Sequence, residues 1–143
     1  MKNVVVIYWS GTGNTEMMAK AVAEGATAQG NMVKLMEVSE ASKQDVLSAD
    51  AVALGCPSMG TEELEEQEME PFVQELEKED MTGKIMALFG SYGWGEGEWM
   101  RDWESRMRNT GSILVDKGLI LEETPDEQGL KDCRELGAKL VSD

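Results

Sequence analysis

The chain has 143 residues, a length suited to one domain with a single well-buried core, and its 41% hydrophobic content excludes a disordered polymer. Against 13 lysines and arginines stand 28 aspartates and glutamates, a formal net charge of −15 that disfavours nucleic acid and anionic membranes and favours basic surfaces. Histidine is absent, which removes imidazole catalysis and His-ligated metal; Cys56 and Cys133 form no C-x-x-C motif and read as two buried, reduced thiols, as in a cytoplasm.

In chain order, Val4 to Tyr8 is a nearly continuous apolar run, expected to be a strand buried on both faces and too short for a signal peptide. A small, hydroxyl-rich stretch follows. Asn14 to Ala28 then carries Met17, Met18, Ala21, Val22 and Gly25 on one side of a helix. Val33 to Val38 alternates and suits an edge strand, and Lys43 to Leu47 predicts a short helix. Ala51 to Gly55 and Ile85 to Phe89 are again apolar throughout. Between them, Glu68 to Glu79 is helical, with Pro71 tolerable in the first turn. Gly97 to Asn109 places Trp99, Trp103 and Met107 at successive helical turns, as core residues. Ile113 to Leu121 reads as a fifth strand with a break near Asp116, and Asp126 to Val141 as a last helix carrying Leu130, Cys133, Leu136, Gly137 and Leu140. No stretch is long enough to span a membrane. Strand alternating with helix predicts parallel strands joined by right-handed crossovers in one α/β domain over residues 1–143, without linker or repeat.

Ligands of open parallel sheets bind beyond the carboxyl ends of the strands. Three such ends are rich in Gly, Ser, Thr and Trp: Trp9-Ser10, Cys56 to Glu62, and Gly90 to Gly97. The first continues as Ser10-Gly11-Thr12-Gly13-Asn14-Thr15. Its glycines allow a tight turn, the start of the helix offers free N–H groups to an anion, and four side chains add neutral donors. It lacks the Gly-Lys-Ser/Thr of a Walker loop, and Glu16 stands where a dinucleotide fingerprint needs a third small residue. A plain Gly-rich N-cap is the competing reading.

Three segments, "YWSGTGNTE", "GCPSMGTEELEE" with "EPF" following, and "LFGSYGWGEGEWM", together resemble the flavodoxins, specifically the short-chain type. The resemblance runs from Val4 to the last helix. It implies a doubly wound, five-stranded parallel sheet of order 2-1-3-4-5 with helices on both faces. It also implies one non-covalent flavin mononucleotide (FMN) and one-electron transfer between redox enzymes, in place of ferredoxin, rather than enzymatic turnover. By position, the phosphate falls to Ser10, Thr12, Asn14 and Thr15, with Ser58 and Ser91 nearby and Gly11, Gly13 and Pro57 shaping the loops. The flavin ring lies between Met59 and Trp94. The backbone of Gly93, beside Gly95, faces the pyrimidine edge, Glu62 accepts from N3, and the Gly60–Thr61 peptide faces N5. Trp9 and Tyr92 complete the set, as walls or as core.

On that footing the absence of lysine from the phosphate loop acquires a reason. A phosphate held by neutral donors keeps its charge, and with Glu62, Glu63, Glu65 and Glu66 it surrounds the flavin with negative potential, opposing the second electron. Glu68 and Glu70 read instead as solvated. The family's loop rearrangement implies positive φ at Thr61, where a β-branched side chain is strained by about 1–2 kcal/mol. The implied partners are basic surfaces of ferredoxin-linked oxidoreductases, met by a cytoplasmic monomer with an open flavin edge, with no nucleic acid and no membrane. An FMN-dependent quinone or azo reductase needs longer loops than this chain offers, and a phospho-acceptor regulator needs acids after the first strand, where Tyr8-Trp9-Ser10 has none.

Overall fold

The computed structural model describes residues 1–142; Asp143 lies outside the described residues. Six strands, β1 (Asn3–Tyr8), β2 (Met32–Glu37), β3 (Ala51–Gly55), β4 (Ile85–Tyr92), β5 (Ile113–Leu114) and β6 (Leu119–Glu122), join in one parallel sheet. The order is β2-β1-β3-β4-β5, with β6 also pairing with β4. The helices are α1 (Asn14–Thr27), α2 (Lys43–Leu47), α3 (Met69–Glu77), α4 (Glu98–Asn109) and α5 (Glu127–Val141).

Period-two alternation divides the strand side chains between two cores. Val4, Val6, Ala51, Ala53, Ala87 and Phe89 pack under α1 and α5 with Val22, Leu136 and Leu140. Val5, Ile7, Val52, Leu54, Met86 and Leu88 pack on the other face with Phe72, Leu76, Trp99, Trp103 and Met107 of α3 and α4. Trp99 and Trp103 are therefore core, as the spacing predicted. β2 is half open, with Met32 and Leu35 exposed, as an edge strand should be.

The break expected near Asp116 divides the fifth strand into two short ones. β5 continues the lower half of β4 (Ile85↔Ile113) and β6 the upper half (Phe89↔Leu119). The interruption is held from outside the strand, since the buried Glu104 of α4 accepts the N–H of Gly118. β4 also runs past its predicted end at Phe89, so that Ser91 and Tyr92 are strand residues.

Glu70 and Arg106 lock α3 to α4: Arg106 donates to both Glu70 oxygens (2.8 and 2.7 Å) and to Glu77 (3.0 and 2.8 Å). The sequence reading of Glu70 as merely solvated is thus corrected. The guanidinium holds the Glu70 carboxyl below its ordinary value of 4.5. A depressed carboxyl contributes stability that is present above the ordinary pKa and lost as pH falls through the folded one. Glu70→Gln is therefore expected to lower the denaturation midpoint at pH 7, with its deficit against the parent shrinking as both are taken below pH 4.5. A deficit that stays constant on acidification would refute the linkage.

Candidate functional site

The carboxyl ends of β1, β3 and β4 open on one edge of the sheet. There a cleft of about 270 Å³ is lined by Trp9, Gly11, Thr12, Asn14, Pro57, Ser58, Met59, Ser91, Tyr92, Gly93 and Glu123. Glu123 is the one charged residue in that lining.

The segment from Ser10 to Thr15 is built around Gly13, which takes φ 97° at the N-terminus of α1 and provides no side-chain cap. Ser10 Oγ accepts the N–H groups of Gly13 (3.1 Å) and Glu16 (3.2 Å). Among the described residues, the N–H groups of Thr12, Asn14 and Thr15 meet no acceptor. A helix start with open donors and a left-handed glycine has the geometry that suits an anion. Thr15 is buried, and its hydroxyl pairs with Ser91 Oγ at 2.9 Å, pinning the end of β4 to α1. Asn14 Oδ1 accepts from Thr124 Oγ1 (3.1 Å), which draws the β6–α5 loop to the same edge.

The loop after β3 is pinned at both ends. Cys56 is fully buried, its N–H donates to Phe89 O, and burial pushes its thiol up to about 12. At the far end the buried Glu65 carboxylate accepts three backbone N–H groups: Gln67 (2.8 Å), Glu68 (2.7 Å) and Met69 (2.9 Å). Glu65 therefore caps α3, whereas the sequence reading had it face the flavin as one charge among several. Loss of such charge-assisted bonds costs about 2 kcal/mol, so Glu65→Gln is expected to lower the urea midpoint accordingly. An unchanged midpoint would exclude the capping role.

Between the pins, Met59 and Glu63 exchange backbone hydrogen bonds of 2.8 Å across a tight turn. Gly60 (φ 52°) and Glu62 (φ 58°) are left-handed in it. The positive φ expected at Thr61 belongs to the loop rearrangement implied by the resemblance, a state other than this one. In this turn Thr61 donates through Oγ1 to Glu63 at 2.8 Å, and any side-chain strain falls on Glu62. Glu62 Oε1 also accepts the N–H groups of Glu96 (2.9 Å) and Gly97 (3.2 Å), tying this turn to the loop before α4. Gly95 is required there, because its φ is 90° and a Cβ would sit 2.0 Å from Glu62 Oε1. Glu68 is exposed, as expected, and accepts the Trp9 indole N–H at 3.0 Å.

Several predicted residues lie outside the cleft lining: Thr61, Glu62 and Gly95 sit on the turn after β3 and the loop tied to it, with Glu62 on a different hollow beside Arg106. Ser10, Gly13 and Thr15 form the loop floor, Gly60 borders a neighbouring hollow with Trp9 and Met59, and Trp94 stands 62% exposed on the far loop. Glu123 is the residue the sequence reading missed. It is left-handed (φ 55°), and its N–H donates to Tyr92 O at 2.7 Å. Applying the strand-end rule to the last strand would have found it.

Residues 6–137 match the profile of the flavodoxin family. The chain belongs to that family. It is 47% identical over 137 residues to a flavodoxin of Clostridium beijerinckii, covering 96% of this chain and 98% of that one. It is 43% identical over 134 residues to the Megasphaera elsdenii flavodoxin, covering 94% and 95%. The solution structure of the two-electron reduced M. elsdenii flavodoxin superposes with a TM-score of 0.85, covering 96% of this chain and 97% of that chain. As a short-chain flavodoxin this chain is an FMN-binding electron carrier and not an enzyme, and electron carriers of this kind work with redox enzymes. Among the described residues no helix is long and apolar enough to cross a membrane.

Proposed function

We propose that the whole chain is one flavodoxin domain working as a low-potential carrier in place of ferredoxin. The phosphate of FMN is held by Ser10, Thr12, Asn14 and Thr15 and by the N–H groups of the loop, with Ser58 and Ser91 alongside. Gly11 and Gly13 keep the backbone close to it, and Pro57 and Tyr92 shape the walls. The ring is flanked by Met59 and Trp94. The backbone of Gly93, with Gly95 beside it, meets the pyrimidine edge, Glu62 accepts from N3, and the Gly60–Thr61 peptide is directed to N5.

The residues fit the group: the open donors suit a phosphate, Met59 offers a polarizable face, and Trp94 has too little packing to be core. Bound FMN supplies two successive one-electron steps. The protein's part is to bind, orient and bias. Its cleft lining offers no cation to neutralise the phosphate, and Glu123 adds negative charge there. The observation that carries the low potential is this cleft, whose one charged lining residue is an acid.

With a net charge of −15 the preferred partners are basic surfaces on ferredoxin-linked oxidoreductases, reached by a monomer in the cytoplasm, not nucleic acid or membrane. The test is fluorescence titration of flavin-depleted protein. FMN emission is expected to be quenched at one equivalent, and riboflavin, lacking the phosphate, to bind at least about tenfold more weakly. Equal affinities would refute the phosphate assignment.

A further inference from the structure

We propose that Trp9 and Glu68 form a positioning pair that couples anion binding at the phosphate loop to the turn carrying the Gly60–Thr61 peptide; this rests on the FMN reading above. The indole N–H of Trp9 donates to Glu68 Oε1 at 3.0 Å, across 59 residues of chain. The ring lies against Gly11, where an added Cβ would stand 3.0 Å from it. Trp9 and Met59 are the two residues shared by the cleft at the phosphate loop and the hollow lined by Gly60 and Glu63 to Gln67. The indole is thus a wall common to both.

Each end of the pair is joined to something that responds. Trp9 is bonded to Ser10, whose Oγ accepts from Gly13 and Glu16. Ser10 shares its loop with the N–H groups of Thr12, Asn14 and Thr15 that meet no acceptor, so an anion drawn to them biases the Ser10 side chain and the residue before it. At the other end, the backbone N–H of Glu68 is held by Glu65, and the Glu65 N–H meets Cys56 Sγ at 3.4 Å. Residues 57–64 hang between these anchors and contain the left-handed Gly60 and Glu62. A turn with two such residues is easily biased by small displacements of its ends. A charge-assisted bond from the phosphate loop to the foot of this segment transmits that bias in both directions, because coupling between two binding events is reciprocal.

The test uses the FMN-loaded protein and four variants: Trp9→Phe, Glu68→Ala, Glu68→Gln, and the Trp9→Phe/Glu68→Ala double. Trp9→Phe and Glu68→Ala are each expected to weaken FMN about three- to tenfold, to weaken riboflavin less, and to shift the first midpoint potential. Glu68→Gln keeps an acceptor oxygen and restores most of the loss. The double variant does no more than the worse single one. Additive losses, equal weakening of FMN and riboflavin, or an unmoved first midpoint in folded variants would each overturn the pair. A parent chain that binds FMN no better than riboflavin would overturn the phosphate reading, and the coupling with it. A parent that discriminates as expected while the variants match it overturns the pair alone.

Discussion

Gly137→Ala is expected to destabilise the protein by about 3 kcal/mol although helix propensity alone favours the change by about 1 kcal/mol. The two effects have opposite signs, so the direction of the measured shift decides between them. Gly137 lies on α5 where it crosses α1, and an added Cβ would stand 2.0 Å from Val22 O and 2.9 Å from Ala26 N. Both are backbone atoms and cannot rotate away. Gly25 makes the reciprocal contact from α1, where a Cβ would meet Arg134 O at 1.9 Å. The two helices touch through their main chains, and one methyl group separates them along with the Val22, Leu136 and Leu140 packing beneath. With total stabilities of roughly 5–15 kcal/mol, such a loss is visible in any urea titration. A variant as stable as its parent would mean that α1 and α5 are further apart than described.

The second large effect concerns the cradle. Thr12→Asp is expected to weaken FMN about a hundredfold, and Thr12→Lys to tighten it and to raise the second midpoint potential. Thr12 lines the cleft, on the uncharged loop proposed to hold the phosphate. A carboxylate there faces a dianion, and even after discounting for solvent the repulsion is about 3 kcal/mol, roughly a hundredfold. The lysine neutralises part of the phosphate charge, so an extra electron on the flavin meets less repulsion; a tenfold preference corresponds to about 59 mV for a one-electron couple. Thermal midpoints of the two flavin-free variants are expected to stay close to the parent's, because the side chain is in a loop and outside both cores. Equal FMN affinity in the two variants would show that the phosphate is not held at this loop.

Much of the architecture was legible because the central strands are buried on both faces and so write their boundaries as apolar runs; Ala51–Gly55 and Lys43–Leu47 have the predicted limits. The glycine-and-hydroxyl stretch at Ser10 to Thr15 could be read for a similar reason: backbone geometry and free donors require those residue types locally. What was not legible depends on partners distant in sequence. The break near Asp116 was expected from the interrupted apolar run, but the Glu104 side chain of α4 that holds it could not be read there. The glutamate run after Thr61 looks uniform in sequence, yet its members do different work: Glu65 caps α3, Glu68 receives the Trp9 indole, and Glu70 joins Arg106. Glu62 is left-handed as well, because the Met59–Glu63 pairing sets the length of the turn. Glu123 is the exception: it follows the last strand directly, so the strand-end rule reaches it, and only its bond to Tyr92 O depends on a distant partner.

Potentiometric titration of the FMN-loaded protein, followed by its visible spectrum, tests the uncharged cradle and its acidic surroundings most directly. The second one-electron midpoint is predicted to lie well below that of free FMN. A second midpoint at or above the free value would contradict the account.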